Sequence, residues 1–350
     1  MPDTIVTTTT LDDTRYQDHI LQGVSRTFAL TIPQLPPTLR AVIGNAYLLC
    51  RIVDTVEDDS ALTPEQTHKF ATMFTEVVSG NVAADVFAQT LSPLLSDHTI
   101  PAEHDLIRNT STVIRITHSF NPVQRQALER CIRIMSQGMA AYQEEASLSG
   151  LENMAAMDLY CYHVAGVVGE MLTELFCDYS PEINQHKSTL MELSVSFGQG
   201  LQMTNILKDI WEDRKRGACW LPRDVFLKEG FDLNELQPEY PEPGFHNGLG
   251  TLIGTARSHL WNAMIYTSLI PSHETGIRRF CLWAIGMAVL TLNKINRRRD
   301  FTIGQQVKIS RRSVKATILI TSLLARQDWA LKKIFTVASR NLPAIRIVEQ

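Results

Sequence analysis

Apolar residues recur at three- and four-residue intervals along most of the chain. The segments run around 14–31, 38–58, 64–79, 101–119, 122–147, 151–178, 184–214, 248–269 and 274–297. That period marks one face of an α-helix. The breaks carry helix punctuation: Pro33, Pro36 and Pro37, Pro64 behind Thr63 as an N-cap, Asn121 before Pro122, and Ser180 before Pro181. Alternating strand patterns flanked by hairpin turns are missing, so the pattern predicts an all-α protein. Two stretches depart from it. Residues 1–12 are polar and threonine-rich, and disorder is expected there. Residues from about 231 to 250 are rich in Pro, Glu and Gly, and a surface loop is expected, inside a single helical domain covering 13–350.

Composition narrows the class. Hydrophobic residues make up 44% of the 350 and charged residues 20%, enough apolar matter for a sizeable core. The six cysteines form no CxxC pair and lie mostly in apolar stretches, which fits buried free thiols in a reducing compartment rather than disulfides or zinc. The N-terminus lacks a basic flank followed by an apolar run. The longest apolar run, Phe280 to Leu292, falls short of the roughly 20 residues that a bilayer requires. A cytoplasmic protein, at most peripheral to a membrane, is expected. The net charge of −4 argues against nucleic-acid binding, but it is uneven. From Lys294 onward 13 Lys and Arg face 3 Asp and Glu, which leaves −14 on the preceding part. A basic block on an acidic body points to an anionic cofactor or a membrane surface, in competition with a merely solvated helix face.

The chemistry lies in two acidic helix faces. In AYLLCRIVDTVEDD (46–59) an apolar helix ends in Asp54, Glu57, Asp58 and Asp59. Asp54 and Asp58 are four apart, about 40° from each other on a helix. In LQMTNILKDIWEDRKRG (201–217), Asn205, Asp209 and Asp213 are successive i, i+4 steps, with Glu212 beside the stripe. Like charges at that spacing destabilise a helix, and acids at its C-terminus oppose the macrodipole. Divalent cations would compensate, and oxygen-only donors suit Mg²⁺ with its shell completed by water and phosphate. The plain alternative is a pair of solvated helix ends; two such clusters, each on a helix too apolar for a surface, weigh against it. The Gly-rich motif of a P-loop or dinucleotide fold is missing.

With both motifs placed, the chain resembles the squalene/phytoene synthase family of head-to-head prenyl transferases. The resemblance rests on GVSRTFAL (23–30), AYLLCRIVDTVEDD (46–59), YCYHVAGVVGEMLTELF (160–176), GLQMTNILKDIWED (200–213) and VKISRR (307–312), in family order. It implies a single-domain isoprenoid-synthase helical bundle with a central cavity, its two acidic helices facing each other across bound diphosphates. It assigns Asp54, Glu57 and Asp58 to one Mg²⁺ face, and Asn205, Asp209 and Asp213 to the other. Arg26 and Arg51 match diphosphate-contacting arginines, Ser25 lies in a flap, Tyr47 and Tyr160 line the cavity, and Gln202 flanks the second motif. Tyrosines, and arginines beside acidic clusters, also serve commonly as core and ion-pair residues. His163, beside an Ala-Gly packing stretch, is read as structural.

The implied reaction joins two prenyl diphosphates through a cyclopropyl (presqualene diphosphate) intermediate, with Tyr160 or released diphosphate assisting proton loss. Hydride quenching then gives squalene, whereas proton loss gives phytoene or dehydrosqualene. Lys308 matches a nicotinamide-cofactor lysine of the reductive branch, Lys208 replaces an arginine, Arg311 follows, and Phe280 resembles an aromatic lining the second-step cavity. These favour farnesyl diphosphate as substrate and NADPH as reductant. No obligate protein partner is inferred, and peripheral membrane contact is expected to serve the hydrophobic product, the basic block serving NADPH, anionic lipid or both. Ser310 stands where a basic residue is usual, and Ala218 where another is expected. The competing readings are a non-reductive synthase, a non-catalytic scaffold, which would not need two complete metal faces, and a cyclase acting on one prenyl diphosphate.

Overall fold

The computed structural model describes residues 10–25, 27–144, 146–238 and 242–344, the side chains of 140, 143 and 144 excepted. Among these residues the regular structure is helical, and strand pairing is limited to an isolated bridge between Leu151 and Pro222. The chain divides into two compact units, one of residues 1–144 with 171–184, the other of 145–170 with 185–350.

In the first unit the principal helices are α1 (Leu11–Val24), α2 (Pro37–Asp58), α3 (Pro64–Val78), α4 (Ala84–Leu91), α5 (Pro101–Arg108), α6 (Thr110–Ser119) and α7 (Pro122–Glu144). Pro37 sets the first helical φ of α2 at a position where no amide donor is needed. Leu39, Val42, Ile43, Ala46, Leu49, Ile52, Val53 and Val56 bury most of its circumference against α1, α3, α5, α6 and α7, as expected of a helix apolar nearly all round. Asn45 within it is satisfied: its Nδ2 donates to the Val113 carbonyl (3.0 Å) and its Oδ1 accepts from Thr117 Oγ1 (2.8 Å). Thr63 caps α3 in a capping box with Gln66, as the spacing predicted. The chain becomes helical earlier than expected. Thr10 and Asp13 form a reciprocal capping box that starts α1 at Leu11, so residues 11 and 12 are not disordered; residues 1–9 lie outside the described residues.

In the second unit the principal helices are α8 (Met154–Cys161), α9 (Lys187–Lys215), α10 (Pro243–Leu269), α11 (Thr275–Arg297), α12 (Arg311–Leu324) and α13 (Asp328–Ala338). The 29-residue α9 packs along α10 and α11. It approaches the backbone closely at a π-helical turn, Tyr162–Gly166, where a Cβ on Gly198 would lie 2.2 Å from the Ala165 carbonyl oxygen. Such a one-turn widening is a frequent accompaniment of functional sites. α10 begins at Pro243, inside the stretch expected to be a loop. The reason is a buried aromatic cluster: the Phe245 ring centroid lies 5.5 Å from those of both Phe226 and Phe231, and Leu233 is buried in a turn capped by Asp232. Residues 239–241 lie outside the described residues.

The spacing did not predict α4, α12 or α13. α11 is long and apolar enough, by length and composition, to cross a membrane, but most of that stretch is buried in the unit. All six cysteines are buried and unbridged.

Candidate functional site

The uninterrupted apolar surface of α2 is broken by one stripe. Tyr47, Arg51, Asp54 and Asp58 stand at i, i+4, i+7 and i+11, within about 60° of one another, and none of them is buried. Arg51 is the hub. Its Nη1 lies 3.5 Å from Asp54 Oδ2, its Nε donates to Glu103 Oε1 (2.9 Å), and its Nη2 pairs with the same oxygen. Glu103, on α5, is buried, so the guanidinium is held from behind by one carboxylate while it faces another. Desolvation raises the Asp54 carboxyl to about 7, with Asp58 and Glu103 adding to the rise and Arg51 opposing it.

The neighbouring acids divide by role. Asp59 turns away and accepts from Ser96 N (2.9 Å), Thr99 Oγ1 (2.6 Å) and Ala61 N (2.9 Å). Against its partial desolvation, these bonds hold its carboxyl below the usual range. It fastens a loop and does not belong to the face. Glu57 lies about 60° off Asp54 around the helix. Tyr47 reaches the end of α1, where its hydroxyl donates to the Val24 carbonyl (3.1 Å) and its ring centroid is 5.2 Å from that of Phe28. Buried Ser25 accepts there from Phe28 N (2.9 Å). Arg26 lies outside the described residues.

The second face is the stripe of Asn205, Asp209 and Asp213 on α9. Lys208 Nζ sits 2.9 Å from Asp209 Oδ2 and 3.5 Å from Asn205 Oδ1. Burial pushes the Asp209 carboxyl up, Lys208 opposing and Glu212 adding. Glu212 has a different task, since its Oε1 accepts from Gly304 N (3.0 Å). Trp211 Nε1 donates to the Phe301 carbonyl (2.6 Å). These two bonds fasten residues 301–304 to α9, and exposed Lys308 follows one 3₁₀ turn later. Ser310, where a base was expected, is the N-cap of α12 and accepts from Ser313 N (3.1 Å). Arg311 is the exposed first residue of that helix, and Gln202 is half-buried on α9. Gly217, in the left-handed region at φ +84°, ends the turn after α9 in a conformation a side chain would strain. Buried Ala218 follows it, donating to the Asp213 carbonyl (3.0 Å).

Tyr160 is buried on α8, its ring stacked on Trp220 with centroids 4.4 Å apart. Phe280 is buried on α11. His163 lies within the π-helical turn. Two residues that the spacing did not single out belong to this description. Glu103 is one: it sits in the first turn of a short helix, and only its pairing with Arg51 shows its use. Asp158 is the other. It is half-buried on α8, its Oδ1 has no hydrogen-bond partner among the described residues, and burial lifts its carboxyl to about 6.

The folded-state pKa of Asp158 is raised, so the ionised form is the costly one. That cost is absent below the unfolded value near 4, grows as the pH rises, and is complete above about 6. Asp158→Asn is therefore expected to stabilise the protein by about 1 kcal/mol at pH 8, after allowance for its partial exposure, and hardly at all at pH 4. Urea unfolding at the two pH values checks this; an equal effect at both would assign the change to packing.

Among the described residues, no three His, Cys, Asp or Glu side chains are grouped closely enough to enclose a metal by themselves. The donor set of each face is oxygen-only and open, which fits Mg²⁺ that completes its shell with water and phosphate oxygens and does not fit a closed zinc or iron site.

The sequence pattern of the squalene/phytoene synthases matches residues 21–313. A squalene synthase of Eremothecium gossypii is 31% identical over 280 residues, 78% of this chain and 60% of that protein. One of Cyberlindnera jadinii is 30% identical over 303 residues, 86% of this chain and 65% of that protein. The chain thus spans just under two thirds of the length of these relatives. Among solved structures, a ligand complex of TcSQS superposes with a TM-score of 0.76 at 23% identity, covering 97% of this chain and 94% of that one; at that identity the likeness speaks for the helical fold.

Proposed function

The chain belongs to the squalene/phytoene synthase family, and from that premise we propose that it couples two farnesyl diphosphates head to head and reduces the product with NADPH to squalene. The observation that carries this reading is the completeness of both oxygen-donor faces, Asp54 and Asp58 with Arg51 on α2, and Asn205, Asp209 and Asp213 with Lys208 on α9.

Asp54, Glu57 and Asp58 on one face and Asn205, Asp209 and Asp213 on the other would hold Mg²⁺, which would neutralise diphosphate charge and ease loss of the leaving group, and NADPH would supply the hydride of the second step. The chain's own residues do the rest. Arg51, backed by Glu103, offers a fixed guanidinium to diphosphate oxygens, and Arg26, the residue after Ser25 in the chain, adds a second. Tyr47 anchors the end of α1 to α2. Tyr160, with its ring fixed on Trp220, relays the proton lost as the cyclopropane closes to released diphosphate, its hydroxyl giving up one proton as it takes the other. Phe280 offers an apolar wall to a carbocation that water would quench, and Gln202 contacts substrate beside the second face. Lys208, Lys308 and Arg311 hold the phosphates of NADPH. The docking of residues 301–304 onto α9 fixes the segment that leads to Lys308, one of the basic residues on which the reductive reading rests.

Product analysis with Mg²⁺ and farnesyl diphosphate, with and without NADPH, tests the reading. Squalene formed only with NADPH is the expected result. Dehydrosqualene formed regardless of NADPH would move the protein to the non-reductive branch, and coupling of geranylgeranyl diphosphate alone would make it a phytoene synthase. Glu103→Gln is expected to lower kcat/KM by about tenfold, because Arg51 loses its charge-assisted anchor. The loss should fall mainly on KM for the prenyl diphosphate. An unchanged KM would mean that Glu103 only stabilises the fold.

A further inference from the structure

α12 leaves apolar side chains on its open side. Its covered side mixes threonines with half-buried Val314 and Ile318 and buried Ala325. Thr317 lies so close to Gly286 that a Cβ there would come within 2.4 Å of its methyl, Thr321 is buried, and Ser322 accepts from Trp283 Nε1 (3.3 Å). Leu319 and Leu323 face outward, 61% and 71% exposed, with Ile320 exposed beside them, while Leu324 is half-buried. At about 100° per residue, Arg312, Ala316, Leu319 and Leu323 fall in one stripe, with Lys315 and Ile320 at its edges. After a short turn, α13 carries Trp329, 69% exposed.

The charge around this face has one sign. Residues 311–344 contain seven Lys and Arg and a single acid, Asp328, which is engaged by the buried Arg278. Apolar side chains flanked by uncompensated cations, with an exposed tryptophan, form the pattern of a helix lying in a lipid interface. A stable protein–protein contact is instead depleted of lysine at its centre.

We propose that the α12–α13 face docks on an anionic lipid surface, the leucines and Trp329 entering the headgroup boundary and Arg312, Lys315 and Arg326 meeting lipid phosphates. The proposal is independent of which prenyl product is made.

Vesicle flotation of the full chain tests it, with phosphatidylcholine vesicles compared with phosphatidylcholine–phosphatidylglycerol vesicles. Binding to the anionic vesicles, weaker on neutral ones and falling with salt, is expected. Leu319→Ser with Leu323→Ser should reduce partitioning by about tenfold or more, and Lys315→Glu should reduce it on anionic vesicles only; both exposed changes should leave the melting temperature in place. Brominated lipid should quench tryptophan emission, and Trp329→Phe should remove most of that quenching, because Trp211, Trp220 and Trp283 are buried and Trp261 is partly covered. Equal binding to both vesicle types, unaffected by these changes, would overturn the proposal. So would the absence of vesicle binding together with a concentration-dependent dimer that the leucine variant abolishes, which would assign the face to a second copy of this chain.

Discussion

Asp54→Asn and Asp213→Asn are each expected to cut Mg²⁺-dependent turnover by about 10³-fold or more, roughly 4 kcal/mol of transition-state stabilisation, while the protein stays folded. The geometry supports both halves. Asp54 faces Arg51 on an open stripe, and its carboxylate is desolvated among other acids, so a neutral isostere removes a charge that the fold itself does not favour. Asp59 should behave in the opposite way. Its hydrogen bonds tie down Ala61, Ser96 and Thr99, so Asp59→Ala is expected to lose about 1–2 kcal/mol of stability. Turnover measured below the melting temperature should stay close to the parent's. Turnover against Mg²⁺ concentration, with circular dichroism for folding, separates the two. Full activity of either metal-face variant would remove that residue from the proposed ligand set.

Asp328→Ala is expected to cost about 2–3 kcal/mol of stability, the largest effect foreseen for a residue outside the two faces. Arg278 is wholly buried; its guanidinium donates to the Ile270 carbonyl (2.6 Å) and pairs with the Asp328 carboxylate, while its Nε has no partner among the described residues. Removing one member of a buried pair leaves the other charge stranded, at a cost of about 3–5 kcal/mol. Asp328 is itself partly exposed, so water can relieve some of this. Adding Arg278→Met should recover most of the loss, since the charge is then gone as well. Urea unfolding of the single and double variants gives the comparison. A double variant no better than the single one would show that the arginine's packing matters and not its pairing.

Helical spacing found α2, α3 and α9 because each buries a long apolar face, and Thr63 and Pro64 marked a start that the fold uses. It missed α12 because that helix buries Thr321 and exposes Leu319, Ile320 and Leu323, so the pattern of burial and the pattern of polarity disagree. It placed the start of α10 too late, because Phe231 and Phe245 are buried from within a stretch whose composition reads as loop. The acidic faces were legible because four-residue steps on a helix need no long-range information. Glu103 was not, since its partner is 52 residues away along the chain, and no local pattern distinguishes an acid that anchors an arginine from one that merely opens a helix.

By itself the order of residues determined the helical class, the two oxygen-donor stripes and the family, since these depend on period and spacing within single helices. Only the tertiary structure decided which of two adjacent acids, Asp58 and Asp59, faces out and which fastens a loop, that Glu212 secures the segment before Lys308, and that Leu319 and Leu323 stand outside. These depend on which distant backbone amides and side chains arrive at a given carboxylate or helix face, and packing brings them there.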